Sequence, residues 1–116
     1  MEKQELEIKR NGEYKNLYLK PVKGVGGLEP GKYVEITKGE YPETREIVKP
    51  NWTGYSATFE YNGEMVGCMF FNKNEADAYN QAGGQGDRVR VTASEEPVVN
   101  KKGMKILVHR LHFEKL

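Results

Sequence analysis

The chain has 116 residues and a mass of 13.2 kDa, enough for one buried core and too little for two independent ones. Charged residues make up 30%, the mean hydropathy is −0.77, and no stretch approaches the ~20 apolar residues of a membrane-spanning helix, which argues against a membrane protein. The start lacks the apolar run of a signal peptide, so a cytoplasmic location is expected, and a net charge of +1 offers no bulk attraction, so any basic site must be local.

Thirteen glycines, seven tyrosines and short alternating apolar runs favour strands. At the amino terminus, Asn11-Gly12 joins residues 6–10 to residues 13–19 and predicts a hairpin. Residues 21–31, with Gly24, Gly26, Gly27 and Pro30, read as a loop. Residues 32–37 alternate with Val34 and Ile36 on one face, and residues 38–53 form a long connection that holds Tyr41, Arg45, Lys49 and Trp52 and is interrupted by Pro42 and Pro50.

Asn62-Gly63 is the strongest local signal, because both residues tolerate the positive φ of a type I′ hairpin turn. A two-residue turn there sets Tyr61 opposite Glu64, Phe59 opposite Val66, Ala57 opposite Cys68 and Tyr55 opposite Phe70 on a core-like face. Ser56, Thr58, Glu60, Met65, Gly67, Met69 and Phe71 then share the other face. Asn72 can cap a helix over residues 74–82, which Gly83 and Gly84 stop. Residues 87–93 alternate cleanly, residues 94–102 read as a polar loop, and residues 105–113 as a last strand.

Catalytic and cofactor chemistry finds little footing. Cys68, the only cysteine, has apolar neighbours and reads as a small buried hydrophobe. His109 and His112, three apart on a strand, point to opposite faces and cannot hold one metal together. Gly24-Val25-Gly26-Gly27 lacks the Lys-Ser/Thr of a phosphate loop. No nucleophile arrangement, metal set or cofactor site emerges, and a binding module rather than an enzyme is expected.

The order strand, long loop, tight hairpin, helix, strand, loop, strand over residues 28–116 resembles the OB-fold, a five-stranded β-barrel, with residues 1–27 as an added hairpin and loop. The resemblance lies in element order alone. It implies an all-β domain that binds extended ligands across its second and third strands and the flanking loops. In those places the chain carries Trp52, Tyr55 and Phe71 as stacking candidates, and Arg88, Arg90, Lys49, Lys73, Lys101 and Lys102 as phosphate contacts. Arg88 and Arg90 alternate with Val89 and Val91, so both should face outward. Single-stranded DNA or RNA, DNA before RNA, is the expected partner. A protein-interaction module using the same aromatics is the alternative.

Overall fold

The computed structural model describes residues 1–21 and 26–116, so the glycine pair Gly24 and Gly26 is described only at Gly26. Its strands are β1 (Glu2–Lys3), β2 (Lys9–Asn11), β3 (Tyr14–Asn16), β4 (Lys32–Lys38), β5 (Arg45–Lys49), β6 (Trp52–Tyr61), β7 (Glu64–Phe70), β8 (Arg88–Val99) and β9 (Lys105–Lys115). A helix, α1 (Lys73–Gln81), lies between β7 and β8. One sheet runs β2-β3-β7-β6-β4-β8-β9, with β1 beside β4 and β5 beside β6. The chain is therefore mainly β, with a single helix among the described residues.

The sheet is not closed. Among the described residues no ladder joins β7 to β9: β3 lies on the edge of β7, and α1 meets the edge of β9 at Leu111. The amide of Leu17 donates to Gly67 O on β7 at 2.9 Å, and Glu75 of α1 accepts from the amide of Leu111 on β9 at 2.9 Å. Lys20 Nζ meets the other Glu75 oxygen at 2.7 Å, so a side-chain bridge spans the gap that a closed barrel would fill with backbone hydrogen bonds. Leu17 and Leu19 sit in the same core as the central strands, so the amino-terminal segment is built into the body.

The central hairpin has the expected register from Tyr61↔Glu64 to Tyr55↔Phe70. Asn62 (φ 51°) and Gly63 (φ 81°) both take the positive φ that a type I′ turn requires. The amino-terminal hairpin is offset from expectation. Asn11 pairs with Tyr14, so Gly12-Glu13 forms the turn, and a positive φ of 62° at Gly12 alone gives type II′. The long connection contains a strand that alternation did not reveal, since β5 pairs with β6 from Arg45↔Ser56 to Lys49↔Trp52 around Pro50-Asn51. The expected loop over residues 94–102 is also mostly strand. The β8–β9 ladder runs unbroken from Val89↔Lys115 to Val99↔Lys105, leaving a turn only over residues 100–104.

Helix α1 begins as its sequence dictates: Asn72 accepts from the amides of Asn74 and Glu75, satisfying two otherwise orphaned donors. Its carboxyl end is finished from outside. Lys38, on β4 and almost fully buried, donates from Nζ to Tyr79 O at 2.5 Å and Gly83 O at 3.2 Å. The ammonium also lies 4.2 Å from the Tyr79 ring centroid. Desolvation holds its pKa below the usual lysine value, against the opposing pull of Glu43 and Asp87. Tyr79 packs on Phe59, Phe70 and Phe113 and joins α1 to a core that includes Val34, Ile36, Ala57, Val66, Val89, Val91 and Leu111.

Replacing Lys38 by Met should leave the helix-end carbonyls without a donor and cost ~1–3 kcal/mol in urea unfolding. An unchanged midpoint would show that the ammonium is not needed there. Burial pushes the Cys68 thiol up to about 12 from 9.0, the largest of its influences. Its contribution to stability is therefore complete below pH 9.0 and is lost as pH rises from there toward about 12. Native protein should resist a thiol reagent at pH 8, and Cys68→Ala should flatten the alkaline fall in stability relative to wild type.

Candidate nucleic-acid interface

The outward face of β5, β6 and β7 forms a grid whose rows follow from register. Lys49 lies beside Trp52, Ile47 beside Gly54, Arg45 beside Ser56 and then Met69, and Thr58 beside Gly67. Small residues at Gly54, Ser56, Thr58 and Gly67 make a low floor. Large side chains rise at its end: Trp52 is 43% exposed, Phe71 66% and Met69 37%. The Trp52 and Phe71 rings meet edge to face, with centroids 5.6 Å apart at 73°. A Cβ on Gly54 would stand 2.8 Å from Met69 Sδ and 2.9 Å from the Trp52 ring, so glycine there lets both side chains lie across the strand.

Two clefts flank this platform. One, of about 350 Å³, is lined by Tyr41, Glu43, Arg45, Ser56 and Thr58. The other, of about 540 Å³, is lined by Leu17, Tyr18, Leu19, Lys20, Met69, Phe71 and Asn72. The loop carrying Tyr41 is tied down, since the Thr44 amide donates to Asn80 Oδ1 at 2.8 Å and Asn80 Nδ2 donates to Thr44 Oγ1 at 3.1 Å. That link fixes Tyr41 and Arg45 beside the floor without a ligand. Tyr18 was missing from the sequence-derived set, and only its odd–even relation to buried Leu17 and Leu19 signals that it faces outward.

The sequence-derived residues divide into groups. Trp52, Phe71 and Lys49 share the platform, and Lys73 follows Phe71 at the start of α1. Lys73 is held by Asp77 at 3.0 Å, and this contact raises its pKa. Tyr55 is turned away: it lies on the core side of β6, half-buried against the core cluster, because it differs from Trp52 by an odd number of positions.

Arg88 and Arg90 do point outward, as expected, while Val89 and Val91 are fully buried. Their place and partners differ from expectation. Arg88 pairs across to Thr37, whose other neighbour is Glu60 at the far end of β6, eight residues or ~26 Å from Trp52 at the strand rise. Both guanidinium groups are ion-paired with Glu35, Arg90 at 3.5 Å, and Arg90 also lies 4.5 Å from the Tyr33 ring centroid. Lys101 and Lys102 sit at the β8–β9 tip, where Asn100 Oδ1 accepts from the amides of Lys102 and Met104 at 2.9 and 3.0 Å.

Among the described residues no group of three or more His, Cys, Asp or Glu is placed to hold a metal. His109 and His112 lie on opposite faces, Nε2 of the first 2.7 Å from Leu28 O and that of the second 2.8 Å from Ser94 Oγ. What the platform offers is half-exposed aromatic surface, two rings set edge to face, beside a low floor and the basic side chains of Arg45 and Lys49.

Gly54→Ala should tilt the indole off the strand, shifting tryptophan emission to longer wavelength with less than ~1 kcal/mol change in stability. An unchanged spectrum would mean that the ring does not rest on Gly54. No family model, curated protein or solved structure matches this chain.

Proposed function

We propose that the outer face of β5, β6 and β7 binds single-stranded nucleic acid, DNA in preference to RNA, by stacking bases on Trp52 and Phe71. The observation that carries this reading is the half-exposed aromatic pair beside the Gly54, Ser56 and Thr58 floor, with Arg45 and Lys49 along one side. A base laid on such a ring gains ~1–3 kcal/mol with little regard to its identity, and the adjoining cations follow the phosphates. Arg88 and Arg90 are left out of the contact, because they lie at the far end of β6 from Trp52 and both already share the Glu35 carboxylate. Lys73 is a secondary contact, because Asp77 already holds it.

The fold reading that supports this is an OB-type barrel, partly open, made of β4, β6, β7, β8 and β9 with α1 between its third and fourth strands. In that arrangement β6 and β7 are the strands that carry ligand, and β5 is an insertion in the loop before them. A protein partner is the second reading, favoured by the exposed Met65 and Met69 on the same face.

Titrating the intrinsic fluorescence of Trp52 with a short oligothymidylate tests the proposal at the site itself, because the chain has one tryptophan. Quenching should saturate, and raising salt should weaken binding with a log-log slope of roughly −0.7 per phosphate neutralised. Trp52→Ala should cost ~1–3 kcal/mol of affinity while leaving the unfolding midpoint nearly unchanged. Wild-type affinity in that variant would remove the aromatic platform from the site. Absence of any saturable quenching would hand the face to a protein partner.

A further inference from the structure

Among the described residues, the outer half of the β8–β9 hairpin has no third strand. β4 accompanies β8 only as far as the Tyr33↔Thr92 pair, with one more hydrogen bond from Gly31 N to Ala93 O. Beyond it the ladder continues alone from Ser94↔Arg110 to Val99↔Lys105. Two-stranded ribbons are marginal in water, and a third strand or a packed face normally supports them. This one is also apolar at its end: Val99, Met104, Ile106 and Leu107 are 64, 57, 41 and 66% exposed.

The direction of the free main-chain groups on β9 follows from the strand's own alternation. Leu111 N points away from β8, since it donates to Glu75. Lys105 and Leu107 share that phase, so their N–H and C=O groups point to the open edge. α1 guards this edge at Leu111, and the free length lies beyond it, toward the turn.

We propose that this edge pairs with the same edge of a second copy of the chain, antiparallel, about a twofold axis at Ile106. Self-complementarity selects that occupant. In this register Lys105 faces Leu107 of the other copy, and these outward-pointing residues exchange backbone hydrogen bonds on both sides of the axis. Ile106 meets its own twin, and Met104 meets Val108, so the three central pairs on that face are apolar and no lysine faces a lysine. The two ribbons become one four-stranded sheet, with Val98 of each copy flanking the central pair because it lies beside Ile106. An isologous contact of this size forms and dissolves with concentration. The proposal is independent of nucleic-acid binding, whose platform lies on β5, β6 and β7.

Sedimentation or light scattering across about 5 to 500 μM should show the mass climbing from 13.2 kDa toward twice that value. Ile106→Lys, which sets two cations face to face at the axis, should weaken the dimer at least tenfold. Val48→Lys, at an apolar side chain 67% exposed elsewhere, should leave it unchanged. Ile106→Cys should cross-link under mild oxidation, because directly opposed Cα atoms of about 4.5 Å suit a disulfide. Leu107→Cys should not, since its twin lies on a diagonal of about 7–8 Å. A wild-type mass of 13.2 kDa at every concentration would overturn the proposal, as would a dimer that ignores Ile106→Lys. An edge that accepts only an unrelated extended peptide gives the first of these results.

Discussion

A single buried ammonium organises the centre of this protein. Lys38 closes β4, faces Phe59 across the sheet, and reaches the carboxyl end of α1, where the helix has no basic residue of its own in its last turn. Its backbone is engaged as well, donating to Asp87 O and accepting from Gly86 N. One residue thus ties together β4, β6, α1 and the turn that leads into β8. A helix carboxyl end carries partial negative charge, so the ammonium exchanges water for carbonyl oxygens and an aromatic face. The desolvation cost is real, and the lowered pKa records it. The contacts of Tyr79 then place the helix over Phe59, Phe70 and Phe113.

The open seam is the second organising feature. Glu75 spans it with one oxygen on Lys20 and the other on the Leu111 amide. Because α1 and residues 17–19 occupy the space between β7 and β9, the sheet presents its outward side unobstructed. That side is where Trp52 and Phe71 stand. In β6 and β7, core and candidate site are thus two faces of the same strands, set by one alternation.

Much of this was legible in the chain. Asn62-Gly63 specifies its turn through two positive φ values, and once the turn is fixed every side chain of β6 and β7 is assigned to a face. The outward placement of Trp52 and Phe71 follows from it. Strand β5 escaped notice because only Ile47 in it is even partly buried, so Arg45-Glu46-Ile47-Val48-Lys49 has no apolar face to display. Residues 94–99 read as loop because Glu95-Glu96-Pro97 looks like punctuation, although the β9 partner holds the strand regardless. The Glu35 pairing of Arg88 and Arg90 depends on β4 lying beside β8, more than fifty positions away in sequence. Local pattern carries no trace of such a neighbour, and the burial of Lys38 was hidden in the same way.

The place of β4 between β6 and β8 also bears on how the chain reaches this state during synthesis. The meander from β5 through β7 is sequence-local and can pair as soon as it emerges. β4 precedes it yet must wait for residues 88–92 before its second edge is covered. Until then Val34 and Ile36 belong to a half-built sheet with an open apolar flank. The sheet around β4 is consequently complete only once β8 has emerged, and a chain interrupted before it leaves that apolar flank open to other chains.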